Sequence, residues 1–265
     1  MVFPIHDDNS DRTIFPWLNI AFIAVNIAVF VLLQGMGQNN DFTFAYSVVP
    51  AEIVSGQDYQ TDDELIEFST PQGRSQAVKP GLKPTPVPVY LTLITAMFMH
   101  GSIAHLLGNM WFLWIFGDNL ENAMGRVRYF VFYLLTGIIA SLVHVALNSQ
   151  GASSLTASLG ASGAISAVMG AYVLLHPNRR VTVILLRIIT SVPAYVAVGV
   201  WFAFQLVSGL GIFGGRDGGV AYGAHIGGFI AGVILAKPFV AGRPNSLDRS
   251  WQRSKRQSDS SDRII

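Results

Sequence analysis

Apolar residues in this chain run in blocks, set apart by polar connections, rather than alternating along short segments. Six blocks stand out, at residues 14–33, 104–120, 129–147, 162–175, 192–207 and 221–239, with ends good to roughly 2–4 residues. A helix needs roughly 20 residues to cross a hydrocarbon core of about 30 Å, so blocks near that length predict transmembrane helices. Lipid offers no partner to backbone polar groups, which favours helices, and the alternating short segments of a barrel are missing. The fifth block begins indistinctly in VTVILLRIITSVPAYV and carries Pro193. There is no repeat of fixed period and no inverted pairing of broken helices, which argues against a transporter.

Composition agrees: 51% of residues are hydrophobic and 12% charged, and mean hydropathy is +0.44, values that suit a membrane protein better than a soluble one. A net charge of +1 excludes a general nucleic-acid binder, and the absence of cysteine excludes disulfides and thiolate chemistry. The first block follows Asp7, Asp8, Asp11 and Arg12, unlike the basic start of a cleavable signal.

Lys and Arg concentrate in alternate connections: Arg126 and Arg128, then Arg179, Arg180 and Arg187, then the segment from Arg243 to Arg263. The positive-inside rule makes these cytoplasmic, and with them both termini. The expected organisation is a cytoplasmic N-terminal tail (1–13), a six-helix domain (14–240) with a long outer loop (34–103), and a polar, disordered cytoplasmic tail (241–265). The other outer connections are 148–161 and 208–220. The last of them, GLGIFGGRDGGV, is rich enough in glycine to serve as a mobile cap.

On this topology the second, fourth and sixth helices all descend from the outer side, so their first turns share a depth. His105 and Asn109, Ser162, and His225 then meet in the outer third of the membrane. Serine in a membrane helix ordinarily bonds back to its own helix or permits close packing, but ionisable residues inside a membrane tend to be functional. Ser162, Ser166 and Gly170 share one face of the fourth helix, and His225, Gly228 and Gly232 one face of the sixth. Small residues on both faces let the two backbones approach and bring serine to histidine.

A serine hydroxyl becomes a nucleophile when an adjacent base takes its proton, and imidazole suits that task near neutral pH. Ser162 is thus the expected nucleophile and His225 the general base. No Asp or Glu lies between Glu121 and Asp217. Asp118 and Glu121 lie roughly 20–24 Å deeper than His105 along their helix. A dyad is therefore expected, with Asp217 a remote alternative orienting group. His105, Asn109 and the unpaired backbone N–H groups around Ser162 and Gly163 can stabilise an oxyanion.

With these residues in view, the chain resembles the rhomboid family of intramembrane serine proteases. HGSIAHLLGNMWFLWIFGDNLE (100–121) is similar to the family's His-rich second helix, GASG (160–163) to its Gly-x-Ser-Gly nucleophile motif, and AHIGGFIAG (224–232) to its histidine helix. The resemblance implies an all-α, six-helix membrane bundle that cleaves transmembrane segments near their outer end without metal or other cofactor. Its partners would be single-span or multi-span membrane-protein substrates and the bilayer, with no nucleic acid, and its location a cell membrane, expected to be a bacterial inner membrane. It also implies Ser162 as nucleophile, His225 as base, and His105, Asn109 and the Ser162 backbone as oxyanion donors. His100, Gly160, Gly228 and Gly232 are supporting residues, and Glu121 supports the fold near the cytoplasmic side. Two features depart from the family: PVPVYLTLITAMFMH lacks the Trp-Arg pair often found before the second helix, and residues 41–88 exceed the family's loop.

The rival readings are weaker. His144 lies near the outer end but lacks a small-residue stripe, and His176 precedes Pro177 at a helix end. His100 and His105 stand five apart with no glutamate between them, unlike the HExxH zinc motif. A non-catalytic rhomboid-like protein that binds membrane helices would typically lack the serine or the histidine, and both are kept. The fifth helix and the glycine-rich loop are the candidate gate for lateral substrate entry.

Overall fold

All six apolar blocks fold as helices in the computed structural model, which describes residues 2–70, 73–185, 188–210 and 221–243. In chain order they are α1 (Trp17–Ala28, prolonged by a π turn, Val29–Leu33), α5 (Ile103–Met124), α6 (Arg126–Asn148), α7 (Ser162–Leu175), α8 (Ala194–Gly209) and α9 (Tyr222–Val240). Three short helices, α2 (Asn40–Ala45), α3 (Pro50–Ser55) and α4 (Thr92–Thr95), lie between α1 and α5. Among the described residues, two helices are long and apolar enough to cross a membrane, α6 and α9, and a third if Val89–Phe98 and Ile103–Met124, bent by 79°, count as one span. Trp17–Leu33, Ser162–Leu175 and Ala194–Gly209 are shorter apolar helices. The expected count of six crossing helices is therefore not reached on this measure.

Helix α7 is short, about 21 Å for its 14 residues, and buried along most of its length. It packs against α5, α6, α8 and α9, most extensively α9. That contact needs small residues. A Cβ at Gly228 would press on the Gly163 backbone, one at Gly232 would sit 2.6 Å from Ala167 Cα, and one at Gly170 would press on Phe229. The line of closest approach on α7 thus runs along Gly163, Ala167 and Gly170, beside the expected stripe, while Ser166 Oγ donates back to the Ser162 carbonyl (2.6 Å).

The purely helical expectation is amended by five strands among the described residues. β1 (Val2–Asp7), β4 (Arg180–Leu185) and β5 (Ile188–Pro193) form an antiparallel sheet in the order β1-β4-β5. The β-branched run around Val181–Ile184 suits a pleated surface, with Val181 and Val183 fully buried. Beneath the sheet Asp7 accepts hydrogen bonds from Tyr172 Oη (2.9 Å) and Asn119 Nδ2 (2.6 Å), Arg179 bonds Asn119 and Asp11, and Arg12 pairs with Asp118. The N-terminal segment is thereby fastened to the ends of α5 and α7. Glu121, fully buried, accepts from the backbone N–H of Leu18 and Asn19, satisfying orphan donors at the start of α1.

At the opposite end the loop before α5 is anchored without the Trp-Arg pair. Gln34 clamps the His100 backbone from both sides, Nε2 to the carbonyl and Oε1 from the N–H, each at 2.9 Å. Val48 and Ser158 exchange backbone hydrogen bonds, and Gly160 N donates to Ala96 O at 2.8 Å. Strands β2 (Glu64–Thr70) and β3 (Gly73–Lys79) make a separate hairpin in the part of this loop that exceeds the family pattern. The glycine-rich stretch 211–220 with Asp217, and the tail beyond 243, lie outside the described residues.

Candidate active site

Helix α7 begins at Ser162, so the hydroxyl sits beside backbone N–H groups of the first turn that have no partner within the helix. Across the small-residue contact, His225 occupies the first turn of α9. Ser162 Oγ and His225 Nε2 are 2.8 Å apart, and the imidazole is 9% exposed. The other ring nitrogen, Nδ1, lies 2.8 Å from Gln205 Oε1 on α8. Trp201 and Tyr222 flank the imidazole, with ring centroids 6.2 and 6.3 Å away.

The turn before Ser162 brings in α5. Gly160 has φ +124°, and a Cβ there would lie 2.9 Å from both Cε1 and Nε2 of His105 and 3.7 Å from Asn109 Nδ2. Glycine is therefore demanded twice, by the backbone conformation and by the approaching ring. His105 Nδ1 accepts from Gly101 N (3.4 Å), which leaves the proton of the neutral ring on Nε2, facing Gly160. Asn109 Nδ2 is buried with no hydrogen-bond partner among the described residues. Two side-chain donors thus point at the turn that carries the serine.

His100 packs its ring edge against His105 at 5.1 Å and is held by its backbone through Gln34. A cavity of about 20 Å³, enough for a water molecule, is bordered by Ser141, His144, Ser158, Gly160 and Ser162. His144 shares that cavity but bonds Asn148, whereas Ser162 faces His225. His176 lies at the far end of α7 beside Tyr172. Asp118 and Glu121 are also at that far end, bonded to Arg12 and to the start of α1. Among the described residues no three His, Asp or Glu side chains converge as a metal site would require.

Sequence reasoning missed Gln205 and Gln34. Both are uncharged amides embedded in apolar surroundings, LLQGM and AFQLV, and that isolation was the available signal.

Residues 88–242 match the family model of the Rhomboid domain. The presenilin-associated rhomboid-like protein A, mitochondrial, of Danio rerio is 30% identical over 148 residues, 54% of this chain and 36% of the relative. Rhomboid protein 1, mitochondrial, of Saccharomyces cerevisiae is 31% identical over 147 residues, 54% of this chain and 40% of the relative. Rhomboid-like protein 11, chloroplastic, of Arabidopsis thaliana is 32% identical over 173 residues, 63% of this chain and 59% of the relative. The chain matches from 36% to 59% of the length of these relatives. Their mitochondrial and chloroplastic names overturn the expected bacterial inner membrane.

Proposed function

We propose that this chain, which belongs to the rhomboid family, is an intramembrane serine endopeptidase that cleaves transmembrane segments of membrane-protein substrates by a Ser162–His225 dyad. The observation that carries the reading is the 2.8 Å contact between Ser162 Oγ and His225 Nε2 across a close-packed pair of helices. All six apolar helices are read as lining or crossing the bilayer, with residues 14–240 as the protease domain and the chain at both Val2 and Arg243 on the side of the sheet. The organelle names of the relatives support an organelle membrane as its location.

Ser162 Oγ attacks the scissile carbonyl as His225 Nε2 takes its proton, and the imidazolium then protonates the leaving amine. The developing oxyanion is met by His105 Nε2–H, Asn109 Nδ2–H and the backbone N–H groups at Ser162 and Gly163. Water entering the small cavity beside Ser162 hydrolyses the acyl-enzyme with His225 again as base. The carboxylates on α5 lie too far along the helix to take part.

The test is cleavage of a single-span substrate by purified protein in detergent. Ser162→Ala and His225→Ala should each lower kcat by roughly a thousandfold or more with helical content and Tm retained. Activity persisting in Ser162→Ala would refute the dyad. A wild type inert on several substrates would favour a protein that binds membrane helices without cutting them.

A further inference from the structure

We propose that Gln205 is a positioning residue for the base: its Oε1 accepts a hydrogen bond from His225 Nδ1–H and holds the Nε2 lone pair on Ser162. The assignment rests on the protease reading above. A neutral imidazole carries one N–H, and the nitrogen that takes the serine proton must be bare, so the proton resides on Nδ1. A buried N–H needs an acceptor, and Gln205 Oε1 stands 2.8 Å away, on a residue 7% exposed. Once the serine proton arrives, both ring nitrogens are donors and the amide oxygen faces the new positive charge.

The dyad therefore has a third, uncharged member where soluble serine proteases place a carboxylate. An amide suits the site, because an ionised carboxylate between apolar helices costs far more to desolvate. No Asp or Glu falls between Glu121 and Asp217, and among the described residues the acceptor at His225 Nδ1 is Gln205 Oε1. Gln205 lies one turn beyond Trp201 on α8, and the ring of Trp201 also lies against the imidazole. Helix α8 thus presents a wall and an acceptor to the base from one face. Displacing α8 to admit a substrate would release His225, so productive cleavage requires α8 to return against α9 after entry.

The experiment compares wild type with Gln205→Leu, Gln205→Met and Gln205→Glu in detergent. Three readouts serve: cleavage of a single-span substrate, the rate of Ser162 labelling by a fluorophosphonate, and the ¹⁵N–¹H resonances of the His225 ring. Leu and Met, which keep the volume without an oxygen, should lower kcat and labelling roughly ten- to a hundredfold with KM and Tm nearly unchanged. Glu, which keeps an acceptor oxygen, should recover most of that loss. The hydrogen-bonded Nδ1–H resonance should vanish in Leu and Met and persist in Ser162→Ala. Wild-type labelling rates in both Leu and Met, or an unaltered ring resonance, would overturn the assignment while leaving the dyad intact. A wild type that neither labels nor cleaves would instead overturn the protease reading and, with it, the role given to Gln205.

Discussion

Asn109 poses an energetic question that its proposed role answers. A buried amide donor without a partner costs roughly 1–3 kcal/mol, and Asn109 Nδ2 carries that cost in the resting protein. The cost is recovered when an oxyanion forms in front of it. Asn109→Ala should therefore lower kcat roughly a hundredfold or more while Tm stays level or rises, whereas a structural asparagine would give the opposite stability result. Gly160 makes a sharper demand. With φ +124° and His105 lying where a Cβ would go, Gly160→Ala should cost about 1–3 kcal/mol in strain. It should also swing the His105 ring away and slow cleavage at least roughly tenfold. Unfolding midpoints and substrate turnover measured on the same preparations separate these two effects.

At the scale of elements, the contact between α7 and α9 decides whether there is a dyad at all. Gly232→Val would put side-chain atoms into the Ala167 backbone, force the helices apart, and destabilise by about 1–3 kcal/mol. The expected result is a lower Tm together with loss of fluorophosphonate labelling, although the substituted residue lies about 10 Å from His225 along α9. Helices α5 and α8 meet through Phe112 and Trp201, with ring centroids 6.3 Å apart. The chain contains no cysteine, so cysteines introduced at these two positions can be bridged specifically by a short bifunctional reagent. Relative to the same double-cysteine variant left unbridged, bridging should block cleavage of a membrane substrate without lowering labelling by a small fluorophosphonate. Undiminished cleavage would exclude this helix pair as the entry route.

For the whole molecule, two buried carboxyl groups outside the six apolar helices, Asp7 on β1 and Glu52 on the short helix α3, tie stability to pH. Burial pushes Asp7 up to about 7, reinforced by Asp118 and opposed by the Tyr172 hydroxyl and Arg179. Burial likewise pushes Glu52 up to about 7, opposed by the Tyr59 N–H and reinforced by Asp58. Each folded-state value exceeds the unfolded one, so between about pH 4 and 7 the native state holds protons that the unfolded chain has released. Stability should then fall as pH rises through that window, by a few kcal/mol at most. The double variant Asp7→Asn, Glu52→Gln should flatten a plot of Tm against pH, and an unchanged slope would refute the account.

Periodicity and hydropathy alone determined where the six apolar helices lie, though not the short helices α2 to α4: the apolar block 162–175 is helical over Ser162–Leu175, because an apolar run in lipid has few alternatives to a helix. The residue types of the site were legible for the same reason. Ser162, His225, His105 and Asn109 are polar groups in apolar runs, and each must have a partner or a use. Tertiary structure decided what local pattern cannot encode. The β-branched runs at 180–185 and 188–193 read equally as the start of a membrane helix, and pairing with each other and, for the first, with Val2–Asp7, remote in the chain, makes them a sheet. Likewise Gln205 is an isolated amide in the sequence. Its meeting with His225 Nδ1 follows from how α8 lies on α9, a geometry set by packing between helices rather than by any residue within one.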